Sequence, residues 1–498
     1  MKNLKNLILL HSNDMHGDFL AEDLDGRLMG GISRLSGYVN SVRRKEPNTL
    51  YVISGDMFCG SLIDSDYKGI STIELVNLLA PDVVTLGNHE VDYGLGHLLF
   101  IEKCAQFPII NANLYLTTNY NRLFRSHLIK EVGGMRILFI GILTETVLQQ
   151  TRANDKLVGT LVNVEEASLE VGKICDAYRT EDIDFTVLLT HIGFEEDKRL
   201  AELLNPDWGV DLIIGGHSHT LLEKPEIVNG IPIVQAACGT DQIGRFDIVV
   251  DTDRNAIDSF RWQLIPIDAE HCPEDKALTK LVQEYKTGTD RKYERILTRF
   301  SEKCTHPARN QETTMGRVFS DALMEMLGVD IMLVGSGSLR TFEAGPIFTL
   351  RALMETYPYE ETGHLLTVSG SLLRKMVLYI LRDEAYEGDH TEFFQFSHGM
   401  RIEYDRKSHR LLDFSYQGKP IQDEDTFRVG IQGFHYENME TSLGITPEEA
   451  SALAKPRLIC TNTKNVLEEY FCSKEYIRIP EDARLILHPA PEESAVKL

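Results

Sequence analysis

Short apolar runs alternate with helical patterns over roughly the first 270 residues, and this alternation restricts the chain to an α/β layered architecture. The runs are LILL before Asp14, YVIS before Gly55, VVTL before Gly87, PIINAN ending at Asn113, RILFIGIL from Arg136, FTVLLT before His191 and DLIIGG before His217. Helical periodicity falls between them, as over Ile32 to Val42, Ser71 to Leu79 and Glu165 to Tyr178. Runs of this length bounded by Gly, Asn and Asp are strand signals. Open α/β sheets gather their functional side chains at the carboxyl ends of such strands.

Those ends carry Asp14-x-His16, Gly55-Asp56, Gly87-Asn88-His89-Glu90, His191 and Gly216-His217-Ser218-His219. A lone DxH or GD is common in any loop, but five such motifs in order at successive strand ends are not. Carboxylate oxygen and neutral imidazole suit divalent cations, and one shared carboxylate can hold two of them about 3.5–4 Å apart. Asp56 is the expected bridge. Asp14, His16 and His219 complete one site with it; Asn88, His191 and His217 complete the other. Such a pair makes a nucleophile of water near neutral pH. His89 follows ligand Asn88, and Asp92 lies three residues on, close enough to orient its imidazole. We assign His89 to the transferring phosphoryl group or leaving oxygen. Mn²⁺ or Zn²⁺ fits this mixed donor set, with Mg²⁺ an option that more often takes oxygen-rich shells.

A length of 498 residues is too great for one ordinary core and implies two domains. With 51 basic against 75 acidic residues, the net charge of −24 argues against a partner as long and anionic as nucleic acid. A small anionic substrate must then be held by a local positive field, which bound cations supply. No run approaches ~18 apolar residues, so no membrane span is expected. The opening MKNLKNLILLHSNDMHG passes straight into the first motif, which favours a cytoplasmic protein without a cleaved leader. Eight cysteines without CxxC spacing are expected to be reduced thiols. The oligomeric state leaves no signature.

The expected boundaries are a catalytic domain over 1–272, a solvated linking helix over 273–299 and a second, α+β domain over 300–498. In the last, Thr313 or Thr314 caps a helix, VDIMLV leads into Gly335-Ser336-Gly337-Ser338-Leu339-Arg340, and MRIEY and TFRVGIQ read as strands. A polar tail closes the chain from Pro489 to Leu498 and is expected to be mobile.

The motifs HSNDMHG, GDMFCGS, GNHEVDYG, THIG and GGHSHT resemble the 5′-nucleotidase family of calcineurin-like metallophosphoesterases. The resemblance implies a four-layer α/β/β/α catalytic domain followed by a nucleotide-recognition domain that rotates to carry substrate to the metals. It maps the family's metal ligands onto Asp14, His16, Asp56, Asn88, His191, His217 and His219, and its catalytic His–Asp pair onto His89 and Asp92. It implies Arg340 in GSGSLRTFEAGPIFT as a phosphate ligand and Tyr359 and Phe434 as the rings that clamp a base. A further family arginine corresponds here to Gln311, with Arg309 and Arg317 nearby. The family's Gly-Gly-Asp-Gly segment is replaced by Asn438, Met439 and Glu440, Glu440 standing at the spacing of the usual Asp. The activity implied is removal of phosphate from a nucleoside 5′-monophosphate, with cleavage of 2′,3′-cyclic nucleotides or UDP-sugars as the alternatives. A nucleotide-binding sensor and a phosphatase of non-nucleotide esters are the competing classes.

Overall fold

The computed structural model describes residues 3–24, 26–145, 159–386 and 393–488, and the chain divides into two compact units, Met1–Thr289 and Asp290–Leu498. The tail from Pro489 lies outside the described residues.

The first unit is built on two six-stranded sheets. Its strands are β1 (Leu4–Ser12), β2 (Thr49–Ser54), β3 (Val83–Thr85), β4 (Ile109–Ile110), β5 (His127–Val132), β6 (Met135–Leu143), β7 (Phe185–His191), β8 (Leu212–Ile214), β9 (Glu226–Val228), β10 (Ile231–Val234), β11 (Gln242–Asp251) and β12 (Ala256–Pro266). The helices are α1 (Ile32–Lys45), α2 (Ile70–Leu79), α3 (Leu95–Cys104), α4 (Val164–Ala177), α5 (Phe194–Leu203) and α6 (Lys276–Tyr293). One sheet runs β12-β11-β1-β2-β3-β4, with β1 to β4 parallel and β11 and β12 antiparallel. The other runs β9-β10-β8-β7-β6-β5, parallel at its centre and antiparallel at both edges.

Strand alternation explains the layering. Leu7 and Leu9 of β1 join Val52, Phe139, Val187 and Ile214 in the core between the sheets. Their neighbours Ile8 and Leu10 turn the other way, with Tyr51 and Ile53, onto Leu35, Val39, Ile73 and Leu79 of α1 and α2. On the far side Leu138, Ile140 and Ile213 meet Val171 and Ile174 of α4 and Leu200 of α5. Strands buried on both faces read as continuous apolar runs, and each buried aliphatic side chain contributes about 1.5–3 kcal/mol. The result is the four-layer α/β/β/α order.

The helix after this domain differs from the expected solvated linker over 273–299. It spans Lys276–Tyr293, and its stripe Leu278, Val282 and Tyr285 packs into the core of the first unit. Ser33 Oγ lies 2.7 Å from Thr279 Oγ1, and Tyr285 meets Tyr67 edge-on at 4.9 Å. The i, i+4, i+7 spacing prevails over the surrounding charges. Beyond it, Ile296–Phe300 is a strand, as the alternation of ILTRF favours.

The second unit contains β13 (Ile296–Phe300), α7 (Thr314–Leu327), β14 (Ile331–Gly335), β15 (Gly363–Ser369), α8 (Gly370–Ile380), β16 (Phe394–Phe396), β17 (Met400–Asp405), β18 (Arg410–Tyr416), β19 (Lys419–Pro420), β20 (Thr426–Gln432), β21 (Arg457–Cys460) and β22 (Leu485–His488). A mixed sheet of order β16-β14-β20-β15-β21 lies beside a ribbon of order β19-β18-β17-β22. Thr313, rather than Thr314, caps α7 by accepting the Gly316 N–H at 3.0 Å. The same Thr313 hydroxyl lies 3.0 Å from Nδ1 of buried His306, whose Nε2 lies 3.1 Å from the Ser336 carbonyl. Nε2–H donation to that carbonyl leaves Nδ1 to accept the hydroxyl proton, a neutral tautomer.

Burial pushes the His306 imidazole down to about 4. Between its ordinary value and that one the unfolded chain binds the extra proton, so stability is lost as pH falls. Going from pH 7 to 4.5 should remove on the order of 2 kcal/mol through this group. Urea unfolding at the two values should show a smaller loss for His306→Asn than for wild type; equal losses would contradict the assignment.

Candidate metal and catalytic site

The loops that leave β1 and β2 run side by side and aim their side chains at one another. Asp14 N donates to Gly55 O at 3.1 Å, His16 N to Asp56 O at 3.0 Å and Gly17 N to Met57 O at 2.9 Å. Asp14, His16, Asp56, His217 and His219 all have left-handed backbone, with φ of 51°, 49°, 52°, 79° and 51°. Each such residue costs roughly 1–2 kcal/mol, and strain of this kind persists where function over-determines the geometry. At Gly87 a side chain is excluded outright, since a Cβ would lie 2.2 Å from Asp56 Oδ1.

These loops collect the predicted ligands into two adjoining groups. Asp14, His16 and His219 present atoms within 4.8 Å of one another, as do Asp56, His191 and His217. Asn88 Oδ1 joins the second group, 3.1 Å from His191 Nε2 and 2.7 Å from His217 Nδ1. Asp56 Oδ2 reaches toward both, 3.1 Å from His191 Nε2 and 3.9 Å from His16 Nε2.

The chemistry of these donors fits cations. His191 Nδ1 lies 2.8 Å from the Ser54 carbonyl and His16 Nδ1 lies 3.0 Å from that of Cys59, so each Nδ1 carries the hydrogen and each Nε2 presents a lone pair. The Nε2 atoms of His16 and His219 face each other at 3.0 Å with Asp14 Oδ1 only 3.4 Å from the latter. Nitrogens and carboxylate oxygens crowded in this way need a proton or a cation among them. The same demand is visible at His191: burial alone would lower its imidazole, yet the Asp56 and Asp14 carboxylates hold it up at about 9. Burial would likewise raise Asp56, but His191 and His89 keep its carboxyl well below the usual range.

On the flank of this cradle stands His89. Its Nδ1 lies 2.6 Å from Asp92 Oδ2, and its backbone N–H donates to Asp56 Oδ1 at 2.8 Å. The hydrogen bond to Asp92, aided by the charge of Asp56, raises the imidazole to about 9 against the pull of burial. His89 thus stands beside the ligands with Nδ1 tied to Asp92 and Nε2 left for a substrate.

The supporting residues carry no spacing signal of their own. Glu90 is buried and accepts three backbone N–H groups, Gly87 at 2.5 Å, Asp56 at 2.9 Å and Met57 at 2.7 Å, locking the loops after β2 and β3 together. Asn13 Nδ2 donates to Asp14 Oδ2 at 2.7 Å and to Ala237 O at 2.6 Å. Gln235 ties the Gly216 carbonyl and Asp197, each at 3.2 Å. Of these, Glu90 stood inside GNHE and Asn13 inside HSNDMHG, whereas Gln235 and Asp197 stood in no recognisable motif.

The second unit arranges its candidates around the Gly335–Ser338 turn. Gln395 Nε2 donates to Ser336 Oγ at 2.5 Å, and Gln432 Nε2 donates to Ser338 Oγ at 2.8 Å while its carbonyl accepts Gly335 N–H at 2.7 Å. The turn leads to Arg340, whose guanidinium lies 5.9 Å from the Tyr359 ring centroid. Tyr359 and Phe434 are 44% and 54% exposed, so each ring keeps surface open to solvent. Phe434 N–H donates to Glu361 Oε2 at 3.4 Å, and Tyr359 stands two residues before that glutamate in the chain.

Gln311 contributes its carbonyl to Gln395 at 2.8 Å rather than a charge to the turn. Arg317 is committed elsewhere, to Glu312 at 2.6 Å and Pro480 O at 3.1 Å. Arg309 is the available arginine. Its Nη1 lies 4.0 Å from where a Cβ on Gly337 would stand, and its buried Nε has no hydrogen-bond partner among the described residues. Glu440 lies exposed on the short helix Met439–Leu443, so the segment that a glycine turn occupies in the resembled family is helical here.

Removing the Glu90 carboxylate strands three buried donors, at roughly 1–3 kcal/mol each. Glu90→Ala should therefore lower the free energy of urea unfolding by several kcal/mol and weaken Mn²⁺ binding by calorimetry; unchanged stability would show that the clamp is dispensable.

Comparison with known proteins agrees with this geometry. The family model described as calcineurin-like phosphoesterase matches residues 7–221, and that described as 5′-nucleotidase, C-terminal domain, matches residues 295–440. A 5′-nucleotidase of Mus musculus is 26% identical over 445 residues, covering 80% of this chain and 75% of its own. Protein UshA of Yersinia enterocolitica is 24% identical over 483 residues, covering 86% and 85%. Among solved structures, a 5′-nucleotidase precursor of Thermus thermophilus superposes with a TM-score of 0.63 at 22% identity, covering 98% of this chain and 100% of that one. With one model matched in each unit, the chain belongs to the 5′-nucleotidase family of calcineurin-like metallophosphoesterases.

Proposed function

We propose that the protein is a metal-dependent hydrolase that removes phosphate from nucleotides, with nucleoside 5′-monophosphates as its principal substrates. The observation that carries this reading is the meeting of two donor groups at Asp56 with the His89–Asp92 pair on their flank. Divalent ions held by Asp14, His16, Asp56 and His219, and by Asp56, Asn88, His191 and His217, would supply Lewis acidity and a water nucleophile of lowered pKa. Imidazole, carboxylate and amide donors together favour Mn²⁺ or Zn²⁺ for that role.

The chain's own groups account for the rest of the reaction. Asp92 fixes the His89 ring and keeps it charged, so that Nε2–H faces developing negative charge and gives its proton to the leaving ribose oxygen. The products are nucleoside and orthophosphate. Glu90 and Asn13 hold the ligand loops so that little rearrangement accompanies the step.

In the second unit, Arg340 and Arg309 flank a turn that two glutamines hold rigid, a suitable seat for phosphate oxygens. Exposed Tyr359 and Phe434 offer faces on which a base stacks with little sequence preference. The relatives named 5′-nucleotidase support a nucleotide rather than a simple phosphate ester. The eight cysteines are all free, which supports residence in a reducing compartment such as the cytoplasm.

Phosphate release from Mn²⁺-loaded protein should be fastest on 5′-monophosphates in a panel that includes 2′,3′-cyclic nucleotides, UDP-glucose and glucose 6-phosphate. Equal rates on AMP and glucose 6-phosphate would reject the nucleotide reading. His89→Asn should lower kcat by about 10²–10⁴-fold on every substrate, whereas Phe434→Ala and Arg309→Ala should chiefly raise KM; a kcat defect of the same size in all three would contradict the division of labour.

Ligands that bind only the folded protein stabilise it by mass action, by about 2.7 kcal/mol at a hundredfold excess over Kd. Mn²⁺ should accordingly raise the Tm of wild type and raise that of Asp56→Asn much less. An equal rise in both would separate the ion site from Asp56.

A further inference from the structure

The loop after β2 also carries Cys59, whose side chain has no part in the hydrolysis described above. Its thiol, a ring nitrogen of His89 and a carboxylate oxygen of Asp92 lie within 4.8 Å of one another. This set differs in kind from the main cradle, because it adds sulfur to imidazole and carboxylate where the cradle offers only nitrogen and oxygen. It is open to solvent: the His89 and Asp92 side chains are 36% and 42% exposed. It is also held in place. Cys59 has left-handed backbone at φ 60°, and its N–H donates to Asp64 Oδ2 at 2.9 Å. Asp64 is anchored in turn by the hydroxyls of Thr72 and Tyr93. Burial, with Asp92 and Asp64 close by, pushes the free thiol up, so the sulfur is protonated until a cation arrives.

We propose that Cys59, His89 and Asp92 form a third cation site, inhibitory and selective for Zn²⁺ over Mn²⁺. The proposal rests on the hydrolase reading, since it regulates the same centre. Thiolate and imidazole favour zinc, whereas manganese prefers oxygen donors. On binding, the thiol proton passes to solvent and a sulfur–zinc bond forms. The ion takes Nδ1 of His89, whose proton also passes to solvent, and replaces the 2.6 Å His89–Asp92 hydrogen bond. The ring is then held by zinc instead of by Asp92 and is turned away from the position in which Nε2 meets the leaving oxygen. Zinc in excess of the main cradle therefore stops turnover, while manganese in excess does not.

The test compares wild type with Cys59→Ser, both loaded with Mn²⁺. Titration with Co²⁺, a coloured stand-in for zinc, should give a near-ultraviolet sulfur-to-cobalt charge-transfer band in wild type that Zn²⁺ displaces and that Cys59→Ser lacks. Half-inhibition by Zn²⁺, each protein measured against its own zinc-free rate, should need about tenfold more zinc or higher in the variant. Bands of equal size in both proteins, or equal zinc sensitivity, would overturn the site. Failure of both proteins to hydrolyse any nucleotide would remove the hydrolase reading instead, and the cobalt band would still decide whether the third site exists.

Discussion

The catalytic unit depends on the mutual repulsion of acceptor atoms gathered around Asp56. Two imidazole nitrogens meet at 3.0 Å, carboxylates crowd them from two loops, and a buried histidine is held up at about 9 to relieve the deficit. Left-handed backbone at five of the ligand positions adds to the cost of assembling them. The surrounding layers are explained as the means of bearing that cost. Buried parallel strands fix where each loop begins, Glu90 holds two of the loops by their N–H groups, and Asn13 and Gln235 hold others. Positive charge at the centre then stabilises both the fold and the chemistry.

The second unit solves a different problem with similar means. A glycine-rich turn is held open by glutamines from two different strands, Gln395 on one side and Gln432 on the other, as a seat for the proposed phosphate would need. Glu361 joins the network beneath the exposed rings through Tyr357 at 3.1 Å. On the function proposed here, recognition would be carried by groups that this network holds rigid, which would limit the ordering cost of capture.

Much of the catalytic unit was legible in the chain because its physics is local. Apolar runs such as LILL and FTVLLT mark buried strands, and a ligand at each strand end follows from the period alone, as Asp14 follows β1 and His191 ends β7. Long-range partners were not legible. Glu90 binds Met57 across a sequence gap that no pattern records, and Asp197 works through Gln235 in the same way. The charged helix Lys276–Tyr293 reads as solvated in the sequence because its apolar residues, Leu278, Leu281, Val282 and Tyr285, stand among more numerous charged and polar ones. In the second unit the place of the missing family arginine at Gln311 was visible, but which neighbour stands by Gly337 required coordinates. The short helix Met439–Leu443, which leaves Glu440 exposed, likewise required coordinates.

The claim that the rest depends on is that one aspartate holds two cations. Anomalous diffraction from crystals of the Mn²⁺-loaded protein tests it most directly. The account predicts two peaks about 3.5–4 Å apart, both within bonding distance of Asp56. A single peak, or a pair with Asp56 bound to neither, would contradict it.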